Sequence, residues 1–258
     1  MKVALIGCGA IGEVIAEAIA NKKVKAKLEY LLDSNREKAE KLSKLFEEKP
    51  KIANSIEDIL SSEVELVIEA ASIKAARQFL PKILEAKKNA MVMSVGVFAD
   101  EDFYERMLTL GEEKNVKIFL PSGAIGAIDA LSSASMEELY EVTLTTIKNP
   151  KSFGLELKER KTLFRGNAIE AIEKFPQNIN VAVTLALAGI GIKKTKVEII
   201  ADPKVRRNMH RIKVRGSFGE FNFEVKNEVS PKNPKTSYLA ALSAIATLKR
   251  IVSPIKIG

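Results

Sequence analysis

The sequence predicts an α/β chain in two parts, a doubly wound parallel sheet followed by a second α+β domain built on a mainly antiparallel sheet. Three observations predict it. A strand, a glycine-rich turn and a helix open the chain at residues 2–20. Apolar strands then alternate with helical segments as far as Pro121, the rhythm of βαβ units. Beyond Pro121 apolar and polar residues alternate at period two, as in a sheet with one face buried and one in water.

The elements follow in order. Lys2-Val3-Ala4-Leu5-Ile6 reads as a buried strand, and Gly7-Cys8-Gly9-Ala10-Ile11-Gly12 as a turn into the helix of residues 13–20. In that setting the first glycine allows the turn, the second lets backbone approach a pyrophosphate, and the third lets the helix pack close to the strand. The helix N-terminus offers amides to phosphates. A second strand, Leu28–Leu32, ends at Asp33, close to the roughly 20-residue distance at which a carboxylate meets the ribose hydroxyls of a dinucleotide. Strand, helix and acid together predict a Rossmann-like nucleotide domain, with Gly7, Gly9, Ala10, Ile11, Gly12 and Asp33 on the cofactor. A charged helix is expected to about Glu48, a short strand near 51–53, and a helical turn over 55–60 with Ser55 as N-cap and Asp58 at capping distance. A buried strand over 64–71 precedes a helix from about Ile73 to Ala86, and Ala70, Ala71 and Ser72 at that junction complete the expected cofactor contacts. Strands at 90–94 and 116–120 flank a helix near 100–110.

In the second part, residues 141–147, 196–200, 210–215 and 220–225 read as strands, the last two joined as a hairpin around Gly216–Gly219. Helices are expected over 126–136, 167–173, 178–190 and 235–249, the last opened by Asn233-Pro234. The expected domains are 1–121 for the dinucleotide, 122–237 for the substrate, and a C-terminal helix, 238–258, that packs back on the first.

Composition narrows the function. The 258 residues are 46% hydrophobic and 29% charged. No stretch nears the ~20 apolar residues of a membrane helix, and the first strand is too short for a signal peptide, so a cytoplasmic protein with no membrane partner is expected. The one cysteine, Cys8, forms no internal disulfide and no metal cluster; no metal is expected. A net charge of +8 raises nucleic acid as a partner, but lysines interleave with glutamates, as in Arg36–Lys41, the pattern of a solvated face. A positive field also draws anionic cofactors and acidic substrates. Abundant lysine and glutamate without tryptophan fits a thermophilic source.

His210 is the only histidine. In its alternating strand it shares the inward face with Ile212 and Val214, so it is either a hydrogen-bonded core residue or, beside a nicotinamide, the general acid/base. Leu120–Ala127 is rich in small residues and follows a strand, suiting either close approach to a ligand or a hinge. In Phe175-Pro176-Gln177-Asn178-Ile179-Asn180, Asn178 suits a cap, whereas Asn180 could bond a ligand. Lys235, Thr236 and Ser237 at a helix N-terminus could hold a substrate carboxylate or simply cap. Arg206 and Arg207 read as solvated.

Taken together, the glycine loop, Pro121-Ser122-Gly123-Ala124-Ile125-Gly126, Phe175–Val181, Ala201-Asp202-Pro203 with Asn208-Met209-His210, Arg215–Gly219 and Asn233–Ser237 resemble the L-aspartate dehydrogenase family over nearly the whole chain. The resemblance implies NAD- or NADP-dependent oxidation of L-aspartate to iminoaspartate, or to oxaloacetate plus ammonia, by a homodimer that feeds NAD biosynthesis. By position, His210 is similar to the family's catalytic histidine, and Ala124 and Asn180 to its cofactor contacts. Gly126-Ala127 stands where the family often has Gly-Gly. Asp33 repels a 2′-phosphate, with Arg36 close enough to soften the preference. A related dehydrogenase of another small carboxylate would share the nucleotide domain, and a nucleotide-sensing DNA-binding protein has only the basic charge in its support.

Overall fold

The computed structural model describes residues 1–175 and 179–256, with the backbone alone at 233–235. It divides into two compact units, one of residues 1–121 and 241–258 and one of residues 122–240.

In the first unit, β1 (Lys2–Ile6), β2 (Lys27–Leu32), β3 (Lys51–Ile52), β4 (Leu66–Glu69), β5 (Asn89–Val92) and β6 (Ile118–Phe119) form a parallel sheet in the order β3-β2-β1-β4-β5-β6. The order reverses between β2 and β4 around the central β1, the point at which open α/β sheets bind ligands beyond their carboxyl ends. Strands buried on both faces need continuous apolar runs, and Val3–Ile6 and Leu66–Ile68 supply them. Helix α1 (Ala10–Ala20) buries Val14, Ile15, Ala18 and Ile19. Helix α2 (Arg36–Ser43) is capped by the Asn35 side chain and stops about five residues before the expected Glu48. The chain there tightens, with Leu45 and Phe46 amides donating to the carbonyls three residues back, and Phe46 turns onto the core. Next come α3 (Ile56–Leu60), whose Asp58 carboxylate accepts from the Ser55 amide at 3.4 Å, α4 (Ile73–Glu85), an unanticipated 3-10 turn at Val95–Ala99, and α5 (Glu101–Lys114). Helix α5 outruns its expected end because its stop signal is Asn115, which adopts the left-handed conformation at φ +52°.

In the second unit, α6 (Ile128–Ala134), β7 (Leu139–Lys148), β8 (Lys161–Asn167), α7 (Ala168–Lys174), α8 (Ile179–Ala188), β9 (Lys196–Ala201), β10 (Asn208–Gly216) and β11 (Gly219–Asn227) build a sheet in the order β11-β10-β7-β9-β8. The β7–β9 pair is parallel and the other three junctions antiparallel. The three helices cover one face: Leu131, Ala171 and Leu185 pack on Leu144, Ile199 and Ile212. The opposite face carries ion pairs such as Arg165–Glu198 and Arg211–Glu224. The β10–β11 hairpin turns at Ser217-Phe218, with Gly219 at φ +120°.

The second unit departs from the sequence reading at two strands. Strand β8 escaped the sequence reading because it is an edge strand with an irregularity between Thr162 and Phe164 and only Phe164 fully buried, so its alternation is broken. Residues 233–237 do not open a helix; they form strand β13 (Asn233–Ser237), paired with β12 (Val229–Ser230) across the Pro231-Lys232 turn. A residue preceding proline is pushed to extended backbone, which suits Asn233 to a strand better than to a helix cap. The final helix α9 starts at Tyr238 and runs to Val252. Its Ala244 and Leu248 belong to the same core as β1, β2 and β4.

Candidate functional site

In the first unit the glycine loop is built by steric necessity. Gly7 has φ +95°, and a Cβ there would lie 2.5 Å from the Ala70 carbonyl oxygen and 2.7 Å from the Ala71 nitrogen. A Cβ on Gly12 would sit 2.0 Å from the Gly7 oxygen. Gly9 meets nothing within 4 Å, so its backbone is open at the first turn of α1, where amide groups point outward. Two glycines closing the turn and one leaving it bare fit a pyrophosphate, whose approach any side chain at Gly9 would hinder.

Asp33, at the end of β2, accepts from the Cys8 amide at 2.7 Å through one oxygen and from the Asn35 amide at 2.8 Å through the other. Each oxygen keeps a lone pair for a hydroxyl. Beside it lies a cavity of ≈ 450 Å³ lined by Gly7, Asp33, Asn54, Ala71, Ser72 and Lys74, among others. Gly7, Asp33, Ala71 and Ser72, all named from the sequence, therefore meet at one place, and Ala70 packs directly under Gly7. Arg36 is engaged by Glu40 at 3.1 Å and Asn54 at 2.9 Å. Cys8 is buried, and burial with the nearby Asp33 charge pushes its thiol up to about 12; it stays a neutral filler.

In the second unit His210 is 3% exposed on the helix-covered face of β10. Its Nδ1 lies 3.0 Å from Oγ1 of Thr146, its register partner on β7. Burial, reinforced by the positive charge of Lys148, lowers its pKa to about 3. The ring is therefore neutral near pH 7. A neutral imidazole whose Nδ1–H donates to Thr146 would keep Nε2 as a proton acceptor. The same geometry also satisfies the ring as a core residue.

The small-residue loop after β6 packs on β11. The buried Asn227 donates from Nδ2 to the Ala124 carbonyl at 2.9 Å, and a Cβ on Gly126 would meet the Phe223 ring at 2.7 Å. Asn227, Val225 and Phe223 lie on one face of β11, with Val225 paired to His210, so Ala124 and His210 belong to the same side of the sheet. Asn180 is in the first turn of α8, where its carbonyl accepts from Thr184 Oγ1 at 2.8 Å. Asn178, read as a cap, lies outside the described residues.

Lys235, Thr236 and Ser237 lie on strand β13 and not at a helix N-terminus, so the backbone there presents no row of helix amides. Strand alternation sends Thr236 and Ser237 to opposite faces, Ser237 inward; the side chain of Lys235 lies outside the described residues. Sequence reasoning missed Glu69, Ser94, Thr146, Lys148 and Asn227. Glu69 alone carried a signal, a lone acid inside an apolar run. Among the described residues no group of histidine, cysteine and carboxylates could hold a metal.

Comparison with known proteins bears on both units. A family model described as "Homoserine dehydrogenase, NAD binding domain" matches residues 7–121, and one described as "Aspartate dehydrogenase, C-terminal" matches residues 129–251. An L-aspartate dehydrogenase of Methanosarcina barkeri is 47% identical over 270 aligned residues, covering 100% of this chain and 99% of its own. One of Methanothermobacter thermautotrophicus is 44% identical, with 100% and 98% covered. Among solved structures, aspartate dehydrogenase from Thermotoga maritima superposes with a TM-score of 0.83 at 32% identity, covering 100% of this chain and 99% of that one. A scyllo-inositol dehydrogenase from Lactobacillus casei, at 12% identity and TM-score 0.61, shares the fold.

Proposed function

The chain belongs to the L-aspartate dehydrogenase family, and on that premise we propose how its residues carry out NAD(P)-dependent oxidation of L-aspartate. Gly7, Gly9, Ala10, Ile11 and Gly12 hold the pyrophosphate by backbone, and Asp33 takes the ribose hydroxyls through its remaining lone pairs. The Asp33 charge repels a 2′-phosphate, while Arg36, already committed to Glu40 and Asn54, gives such a phosphate little help; NAD is the favoured cofactor and NADP the poorer one. Ala70, Ala71 and Ser72 border the nucleotide, and Ala124 and Asn180 contact it farther along.

A bound nicotinamide would supply the acceptor for the Cα hydrogen of L-aspartate, which leaves as hydride. Loss of that hydride requires the nitrogen lone pair, which the ammonium form lacks. His210 is assigned the proton of the α-ammonium: its ring is neutral near pH 7, and the negative charge of a bound dicarboxylate beside it would raise its basicity above that of the substrate-free, buried ring. Its Thr146 partner fixes ring orientation and tautomer. The sum is L-aspartate, oxidised cofactor and water giving oxaloacetate, ammonium, reduced cofactor and one proton, by way of iminoaspartate; the proton His210 takes from the α-ammonium is the one that passes to solvent. Of the residues expected to hold substrate, Thr236 and Ser237 offer hydroxyls on opposite faces, so at most one addresses a given carboxylate. The reading includes a cytoplasmic homodimer, which light scattering in solution tests.

The observation that carries the proposal is the family match over the full length of both chains. The test is reduced-cofactor formation at mildly alkaline pH with L-aspartate against D-aspartate, L-glutamate, L-alanine and malate. Activity confined to L-aspartate supports the proposal. Activity on malate, or none with L-aspartate, rejects it.

A further inference from the structure

At the carboxyl end of the parallel sheet Glu69 accepts four hydrogen bonds, and the proposed mechanism leaves it without a task. It is the last residue of β4, in register with Ile6 at the end of β1 and Val92 at the end of β5, and it is 2% exposed. One carboxylate oxygen accepts from the amides of Ala71 at 2.8 Å and Ser72 at 3.0 Å and from the Ser94 hydroxyl at 2.9 Å; the other accepts from the Ser94 amide at 3.0 Å. A single buried carboxylate thus ties the loop after β4 to the loop after β5. The loop after β4 is the one on which Gly7 rests, since a Cβ at Gly7 would strike the Ala70–Ala71 peptide.

Burying a carboxylate is costly, and four donors aimed at it offset that cost. Burial pushes the Glu69 carboxyl above its ordinary range, and the Ala71, Ser94 and Ser72 donors pull it back. An apolar residue would serve the strand itself, as Leu66, Val67 and Ile68 do. What a carboxylate adds is a fixed position for three backbone amides at the switch point of the sheet.

We propose that Glu69 is a positioning residue for the cofactor, holding Ala71, Ser72 and Ser94 in place so that the glycine loop keeps the geometry a dinucleotide needs. The proposal rests on the cofactor reading above. In Glu69→Gln the amide nitrogen faces one of these donors whichever way it turns, so two donors oppose each other on one arm. Ser94→Ala removes the hydroxyl bond alone and leaves the three amide bonds.

The experiment is NADH fluorescence titration of the full-length unaltered protein and both variants, together with kcat at saturating cofactor, the KM for L-aspartate, and Tm. Glu69→Gln is expected to weaken NADH binding about tenfold, equivalent to the loss of one buried charge-assisted bond. Ser94→Ala is expected to weaken it about threefold. In both variants the KM for NAD rises while kcat at saturation and the KM for L-aspartate stay near those of the unaltered protein. A folded Glu69→Gln with unaltered affinity and only a lower Tm overturns the proposal, as that is the signature of a purely structural carboxylate. Should Glu69→Gln not fold, unaltered NADH affinity in Ser94→Ala overturns it. If the unaltered protein fails to bind NADH, the cofactor reading falls and this proposal with it.

Discussion

His210 is the residue on which the chemistry turns, and its surroundings set its behaviour. Burial and the Lys148 charge disfavour the protonated imidazole, so the ring stays neutral throughout the neutral range. His210→Asn is expected to lower kcat by roughly 10²–10⁴-fold, with the Kd for NAD unchanged by titration. The same environment gives a stability signature. The folded-state pKa, near 3, lies below the unfolded value, so the contribution is fully present above about pH 6.5. Below that the unfolded chain takes a proton that the folded one refuses, and stability falls, by up to about 1.4 kcal/mol per pH unit. Thermal unfolding of the unaltered protein should therefore decline more steeply from pH 6.5 to 4 than that of His210→Asn. Equal slopes would mean that the imidazole is not desolvated in the fold. At Gly12 the argument is steric: a methyl 2.0 Å from the Gly7 oxygen forces the loop apart, so Gly12→Ala should abolish NAD binding measured by calorimetry. Unaltered affinity would show that the loop adapts freely.

Elements were legible where the cause is local. The glycine loop could be read because turn, bare backbone and close helix packing each demand a residue without a side chain within six positions. The alternation of β10 put His210 on the inward face with Ile212 and Val214, as observed. Elements were illegible where the cause is distant. Strand β8 is defined by pairing with β9 rather than by its own pattern, and β13 by five residues folding back on Val229-Ser230 while Pro234 imitated a helix start. The bonds that organise the loops span long separations, Glu69 to Ser94 across 25 residues and Asn227 to Ala124 across 103; no spacing rule reaches that far. Helix α9 carries a prediction of its own. Leu248 is buried in the core of the first unit, so Leu248→Ala should destabilise the protein by about 2–5 kcal/mol, measured by urea unfolding. A loss well under 1 kcal/mol would mean that the helix merely rests on that core.

For the whole molecule, the chain leaves the first unit at Pro121 and rejoins it at Ala241, so the nucleotide fold is completed by a segment that follows the second unit in sequence. The net charge of +8 is spread among ion pairs such as Arg165–Glu198, Arg207–Glu228 and Lys82–Glu57, and no salt-sensitive retardation of DNA is expected in a gel at physiological ionic strength. The central claim is that hydride leaves Cα of L-aspartate for the nicotinamide. L-aspartate deuterated at Cα, turned over with NAD and followed by mass spectrometry of the cofactor, tests it most directly. The account predicts one deuterium in the reduced cofactor for each oxaloacetate formed. Deuterium found only in solvent, or oxaloacetate formed without reduced cofactor, would contradict it.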